Sequence, residues 1–326
     1  MLLRCGDGFM TNRGVSDAEF VRIFQSYGPS ETAKRTGVAV RNVHSRRKNI
    51  QKKTGQLIES PIGPGGVVKD ITVHSHRIEL QIDNGSVLIG SDAHIWPGPL
   101  STALRGFIAV CKDIKPKIVI LNGDVLDFPQ ISRHPPIGWQ KIPSVHEEIE
   151  AAQEVLHDIE MACGRGVQKV WTLGNHDARF STTIASRAPE LAKIKGVTLS
   201  DHFPNWRPAW SCFLNNDVVV KHRFKGGLGA ARANTLNSGR TMVTGHLHRL
   251  QVAGLTDYNG RRYGVDCGFM STPQHKAFLD YTEDAPLDWC AGFAVLTFKD
   301  GKLLPPELAQ VWDDTHIVWR GSLVRV

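Results

Sequence analysis

Lys169-Val170-Trp171-Thr172-Leu173-Gly174-Asn175-His176-Asp177 joins a short apolar run to a glycine and three polar, metal-competent side chains. β-Branched and aromatic residues favour a buried strand, and Gly lets the backbone turn tightly where the strand ends. Taken alone, Asn175-His176-Asp177 reads equally well as a turn with polar tips. Four more strand-like runs end in a comparable way. Ser91-Asp92-Ala93-His94 follows Val87-Leu88-Ile89-Gly90, and Asn122-Gly123-Asp124 follows Ile118-Val119-Ile120-Leu121. His222 ends Val218-Val219-Val220-Lys221, and Gly245-His246-Leu247-His248 follows Met242-Val243-Thr244. Strands running the same way in one sheet bring their C-terminal ends to one edge, where α/β proteins build their sites.

Those ends supply Asp92, His94, Asp124, Asn175, His222, His246 and His248, with no Cys. Oxygen and imidazole donors suit Mn²⁺, Fe, Zn²⁺, Ni²⁺ or Mg²⁺ better than a thiolate site does. Seven groups exceed what one ion takes. Two divalent ions about 3.5–4 Å apart, bridged by a carboxylate, use them all. In extended backbone, His246 and His248 alternate so that both rings face one site.

Around this centre the chain alternates. Helices are expected over residues 100–113, 145–163 and 178–195, and further strands over 263–267 and 292–298. Asn84-Gly85, between Ile78–Ile82 and Ser86–Gly90, reads as a hairpin turn. Such alternation followed by strands points to an α/β fold of sheets covered by helices. The six cysteines lie far apart with no C-x-x-C pair, which argues against a disulfide scaffold or a zinc knot. No run approaches the ~20 apolar residues of a membrane span. The first residues lack a secretory apolar segment, so a cytoplasmic location without membrane association is expected.

The net charge of +7 is placed unevenly. Residues 1–55 hold 11 Lys/Arg against 4 Asp/Glu, and the remainder holds 28 of each. An acidic partner is therefore implied for the N-terminal segment and not for the body. After a loose tail over residues 1–15, Ser16-Asp17-Ala18-Glu19 reads as an N-cap with Glu three residues on. Gly28-Pro29-Ser30 breaks that helix, a second covers Glu31–Thr36, and a basic third begins after Gly37-Val38. This pattern resembles a small helix-turn-helix, whose last helix enters the DNA major groove. Arg41, Asn42, His44, Arg46, Arg47 and Lys48 are the candidates for contacting DNA or RNA. A solvated basic helix, or an arm for an acidic protein, is the alternative. Gly and Pro crowd residues 56–75, a linker. The expected domains are therefore 1–55, a nucleic-acid-binding module, and 76–326, the metal-binding body.

The ordered set D-x-H, G-D, G-N-H-D, H and G-H-x-H, spanning Leu88 to Arg249, resembles the calcineurin-like metallophosphoesterase superfamily. The resemblance implies a two-sheet α/β-β/α sandwich, here preceded by the small all-α module. It implies that Asp92, His94 and His248 hold one metal, that Asn175, His222 and His246 hold the other, and that Asp124 bridges them. It further implies that His176 stabilises charge or protonates the leaving oxygen, that Asp177 orients His176, and that the ions activate water for in-line attack on phosphorus. Lys221-His222-Arg223 and His94-Ile95-Trp96-Pro97-Gly98 depart from common family patterns, so the rim that sets substrate preference differs. Asp127 is either a supporting carboxylate or a solvated loop residue.

Two long loops, 128–146 and 201–210, carry aromatic and basic residues. Trp206 and Trp210 either stack bases or pack their loop. A phosphodiesterase or nuclease acting on DNA held by the N-terminal module is the first expectation, with Mn²⁺ as the favoured metal. A phosphatase of a small molecule or phosphoprotein, whose N-terminal helices serve localisation or assembly, is the alternative. Helix-turn-helix and phosphoesterase in one chain suggest a phage-like accessory protein.

Overall fold

In a computed structural model the described residues are 14–58, 76–134, 141–192, 194–272, 278 and 287–326. The expected tail up to residue 13, most of the linker (59–75) and the Trp139 part of the 128–146 loop lie outside them. The chain divides into two units, Met1–Asp70 with Ser186–Pro189, and Ile71–Ala185 with Glu190–Val326.

In the first unit, α1 (Asp17–Thr36) is capped by Ser16, whose hydroxyl accepts from Glu19 N. Gly28 sits at φ 76°, ψ 176°, outside helical space, so α1 is two helical stretches meeting at Gly28-Pro29. Gly37 closes it, and α2 (Val40–Thr54) follows. Phe20, Phe24, Ala33, Val43, Ile50 and Ile58 form its core.

The second unit holds two sheets. One runs in the order β15-β14-β13-β11-β2-β3-β4-β5, with β12 (Lys302–Leu303) beside β11. Its parallel half is β2 (Gly85–Gly90), β3 (Ile118–Leu121), β4 (Gln168–Thr172) and β5 (Arg207–Ala209). Its antiparallel half is β11 (Gly292–Lys299), β13 (Glu307–Val311), β14 (His316–Trp319) and β15 (Ser322–Arg325). The other sheet runs β1-β6-β7-β8-β10-β9. These strands are β1 (Ile78–Leu80), β6 (Cys212–Leu214), β7 (Val218–Val220), β8 (Thr241–Thr244), β9 (Leu250–Asp257) and β10 (Gly260–Cys267).

Strand alternation explains the layering. Val87, Ile89, Ile118, Ile120 and Val170 point into the core shared with Val218, Val220, Val243 and Val265 of the opposite sheet. Their neighbours Leu88, Val119, Leu121 and Trp171 point the other way, onto α3 (Thr102–Ile114) and α4 (Val145–Cys163). Ser101 caps α3, and Ser144 with Glu147 forms a capping box on α4. α5 (Asp177–Arg187) follows β4, and α7 (Ala230–Ser238), after the single turn α6 (Leu199–His202), packs on β8, β9 and β10. The result is the expected α/β-β/α sandwich.

Two expectations need correction. Asn84-Gly85 does not close a hairpin: β1 pairs in parallel with β6, while β2 pairs with β3 and β11 in the other sheet. The segment crosses between sheets and is anchored to the β11–β12 turn, where Asp300 N donates to Asn84 Oδ1 and Gly301 N to Asp83 O. The five strand ends also do not share one sheet. β2, β3 and β4 bring theirs from one, β7 and β8 from the other, and the two parallel sets open onto the same edge.

Candidate metal centre

The site is made where those five strands stop. Asp92, His94, Asp124, His246 and His248 all adopt left-handed backbone, with φ between 42° and 69°. They are five of the eleven non-glycine residues with positive φ among those described. Such conformations cost about 1–3 kcal/mol each and persist where the surroundings impose them, chiefly at functional sites. Left-handed turns also correct the reading of His246-Leu247-His248 as extended. The two rings are sent to different groups, His248 to Asp92 and His94, and His246 to Asp124 and His222.

Glycine is required where the strand ends close on one another. A Cβ on Gly174 would run into the Asp124 carboxylate, and one on Gly123, at φ 82°, into the His222 ring. His248 Nε2 lies 3.2 Å from Asp92 Oδ1, which is also 3.9 Å from His222 Nε2. His222 Nε2 lies 3.1 Å from Asp124 Oδ2. The His222 Nδ1 nitrogen donates to Asn122 O at 2.7 Å, which fixes the ring and leaves Nε2 facing the site. His246 N donates to Asp92 Oδ2, and His176 N to Asp124 Oδ1.

Charge is concentrated here. Burial works against ionisation of Asp92, but His222 and His248 outweigh it and hold the carboxyl at about 2. Asp124 is likewise held well below the usual carboxylate range, by His222, His176 and His94 against the cost of burial. For His222 burial alone would lower the pKa, yet Asp124 and Asp92 carry it to about 10. His246 is pushed down, by burial and by His222.

The donor set fits divalent cations. Asp92 Oδ1, His94 Nδ1 and Nε2, Asn175 Oδ1, His222 Nε2 and His248 Nδ1 are buried and complete no hydrogen bond, although Asp92 Oδ1, His94 Nδ1 and His222 Nε2 each have an ion-pair neighbour within 3.4 Å. A folded chain leaves few such atoms unless something coordinates them. The His248 ring is also walled by Phe269, stacked at 5.1 Å, by Trp289 at 4.4 Å and by Phe278 at 5.5 Å.

Asp177 does not orient His176. Its carboxylate accepts from the backbone N–H groups of Asp124, Val125, Leu126 and Gly174 and from Trp171 Nε1. It is the buried pin that joins the β3 and β4 turns. Asp127 takes the orienting role instead: its Oδ1 accepts from His176 Nδ1 at 2.5 Å and lies 3.4 Å from His94 Nδ1. Burial would raise the Asp127 pKa, but the two histidines dominate and hold it well below the carboxylate range. Beneath it sits Glu148, which the sequence reading passed over as one more helix acid. Its Oε1 accepts from Asp127 N and Phe128 N, and burial lifts its pKa to about 8. Arg179 carries no motif signal either; it lies in the first turn of α5, where its backbone N donates to His176 O.

The remaining candidates divide. Trp206 packs its loop, buried with Nε1 donating to Glu160, and Trp210 is more than a third exposed. On α2, Arg41, Asn42, His44 and Lys48 are exposed. Arg46 is committed within its own unit, bonded to Asp17 and to Val15 O, with its guanidinium over Phe20. The Arg47 guanidinium lies over Phe24. Among the described residues no helix is long and apolar enough to cross a membrane.

No protein-family model matches the chain. It is 25% identical over 256 residues to the Gene 54 protein of Mycobacterium phage D29, and 24% identical over 256 residues to that of Mycobacterium phage L5. Each match covers 69% of this chain and 93% of the relative. Among solved structures the chain is similar to wild-type Vps29 complexed with zinc from Entamoeba histolytica, at 13% identity and a TM-score of 0.37, over 73% of this chain and 96% of that one. It is also similar to a dimetal phosphatase from Danio rerio, at 9% identity and a TM-score of 0.35, over 70% of this chain and 96% of that one. The five motif blocks, which in their order resemble the calcineurin-like metallophosphoesterases, are delivered by two facing sheets to one edge where their donors converge.

Proposed function

We propose that the chain is a phosphoesterase dependent on two divalent metal ions, and that it cleaves phosphodiester bonds in nucleic acid held by the N-terminal module. Asp92, His94 and His248 would hold one ion, Asn175, His222 and His246 the other, with Asp124 as the bridge. The carrying observation is the set of buried donor atoms without a hydrogen bond that converge from four of the five strand ends, at a site where five residues adopt left-handed backbone. When bound, the ions supply a polarised water and neutralise phosphate charge. The chain's own groups set the geometry around them. Asp127, an acceptor only, takes the Nδ1 proton of His176, which turns Nε2 toward Asp124 and the metal-ligand cluster. The aromatic wall of Phe269, Phe278 and Trp289 shields His248 and keeps its surroundings low in dielectric.

Nucleic acid as substrate is supported by the basic excess confined to residues 1–55, by the exposure of Arg41, Asn42, His44 and Lys48, and by the phage origin of both sequence relatives. Mn²⁺ is the proposed metal. The internal commitment of Arg46 and Arg47 trims that basic face and favours a second reading, a small-molecule or protein phosphatase.

The test is Mn²⁺-dependent hydrolysis of bis-p-nitrophenyl phosphate against p-nitrophenyl phosphate, with Asp124→Ala as control. Diester cleavage that vanishes in the variant, with salt-dependent DNA affinity lost on deleting residues 1–55, is expected. Cleavage of the monoester alone would move the assignment to the second reading.

A further inference from the structure

We propose that Arg179 is a phosphate-binding residue of this site, its guanidinium taking a non-bridging phosphate oxygen alongside His176. The proposal rests on the phosphoesterase reading above and names a group which that reading does not use.

Arg179 stands in the first turn of α5, with its backbone N donating to His176 O. From there the side chain folds back over the end of β4. Nη1 donates to Asp127 O at 2.7 Å, and Nη2 lies 3.3 Å from His176 Nε2. The carboxylate oxygen that Nη1 approaches, Asp127 Oδ1 at 3.7 Å, is already taken by His176 Nδ1 at 2.5 Å. The guanidinium thus pairs with Asp127, through its carbonyl and more distantly its carboxylate, and touches His176 Nε2.

The contact with His176 also locates the ligand. A guanidinium N–H can only donate, and Asp127 already receives the Nδ1 proton, so Nε2 accepts from Arg179. The pair borders the metal-ligand cluster, since His176 Nε2 is 3.8 Å from Asp124 Oδ2. A tetrahedral phosphate with one oxygen toward the ions turns another toward this pair. An arginine fork on a phosphate is geometrically matched and charge-assisted. The side chain is 22% exposed, so it stays accessible to a ligand.

The experiment titrates the Mn²⁺-loaded full chain with inorganic phosphate by calorimetry, for wild type, Arg179→Met and Arg179→Lys. Hydrolysis of bis-p-nitrophenyl phosphate is followed in parallel. Arg179→Met should weaken phosphate binding by about 10- to 100-fold, the range of one hydrogen bond to a charged group. KM should rise in step while kcat moves less, because the contact exists before and during reaction. Arg179→Lys, which keeps the charge and loses the fork, should fall between. Unchanged phosphate affinity with a reduced kcat would overturn the proposal and leave Arg179 as a positioning residue for His176. If wild type hydrolyses neither ester yet Arg179→Met still weakens phosphate, the binding assignment stands and the phosphoesterase reading fails. Hydrolysis by wild type with phosphate affinity and KM untouched in both variants sinks the assignment and spares the reading. Melting temperature and bound-metal stoichiometry establish that each variant is folded, and Arg179→Lys carries the test should Arg179→Met misfold.

Discussion

Replacing Asp177 by Asn separates a structural role from a catalytic one. Asp177 Oδ2 accepts from Gly174 N at 2.8 Å, Asp124 N at 2.9 Å and Trp171 Nε1 at 3.0 Å. Oδ1 accepts from Val125 N at 3.0 Å and Leu126 N at 3.2 Å. An Asn keeps one of these oxygens and must turn an NH₂ group toward the donors around the other. Even in the better orientation, two buried N–H groups lose their acceptor. Bonds to a charged group contribute about 1.5–3 kcal/mol each, so the loss is about 3–6 kcal/mol. Burial and the Asp124 charge raise the Asp177 pKa, so neutralising the residue returns some of that, and the lower end is expected. In a domain of this size 1 kcal/mol moves Tm by about 2–4 °C, so Asp177→Asn should melt about 10 °C early by calorimetry. Asp127→Asn is the partner experiment. It loosens His176 and should cost hydrolysis of bis-p-nitrophenyl phosphate far more than it costs Tm. If Asp177→Asn melts within about 2 °C of wild type while losing activity as Asp127→Asn does, the assignment of the two carboxylates is reversed.

The other expectations concern charge. His222 carries its proton up to about pH 10 in the metal-free chain, and ligation needs that nitrogen bare. Metal affinity measured against a competing chelator should therefore climb with pH, by as much as tenfold per unit between pH 7 and 9; a flat profile refutes displacement of that proton. Glu148 has a folded pKa of about 8 against an ordinary 4.5, so the folded state holds its proton more tightly. Its contribution is greatest below pH 4.5 and declines as pH rises through 8, by a few kcal/mol in all. Glu148→Gln keeps an acceptor for Asp127 N and Phe128 N and should flatten that part of the stability–pH curve. No change in slope would show that Glu148 is ionised at neutral pH. Arg46→Ala should lower the thermal stability of the N-terminal unit through its lost contacts with Asp17, Val15 O and Phe20. Lys48→Ala should leave stability alone and reduce the salt slope of DNA binding by about one. The opposite assignment of effects would place Arg46 on the nucleic acid.

What the sequence made legible depended on whether side-chain type alone carried the signal. The ends after Leu121, Leu173 and Thr244 were readable because an apolar run that stops at a ligand-type residue has few other uses. The partnership of strands was not, because the spacing of Ile78 and Leu80 is the same whether β1 lies beside β2 or beside β6, more than 130 residues away. Long-range pairing is chosen by what the whole sandwich can bury, and no local window contains that. Asp127 and Asp177 show the same limit at the scale of one side chain. Each follows a site residue closely in sequence, and sequence spacing alone lets either hold a histidine. The turns decide between them. The β3 turn runs past Asp124 in left-handed backbone and presents three consecutive N–H groups to Asp177, from Asp124, Val125 and Leu126. That occupies the Asp177 carboxylate and leaves Asp127 nearest the imidazole. The strain that places Asp92, His94, Asp124, His246 and His248 is therefore also what sorts the carboxylates around them. A sequence pattern built on extended strands finds the residues of such a site and misassigns their partners, because the chemistry begins where the strand geometry ends.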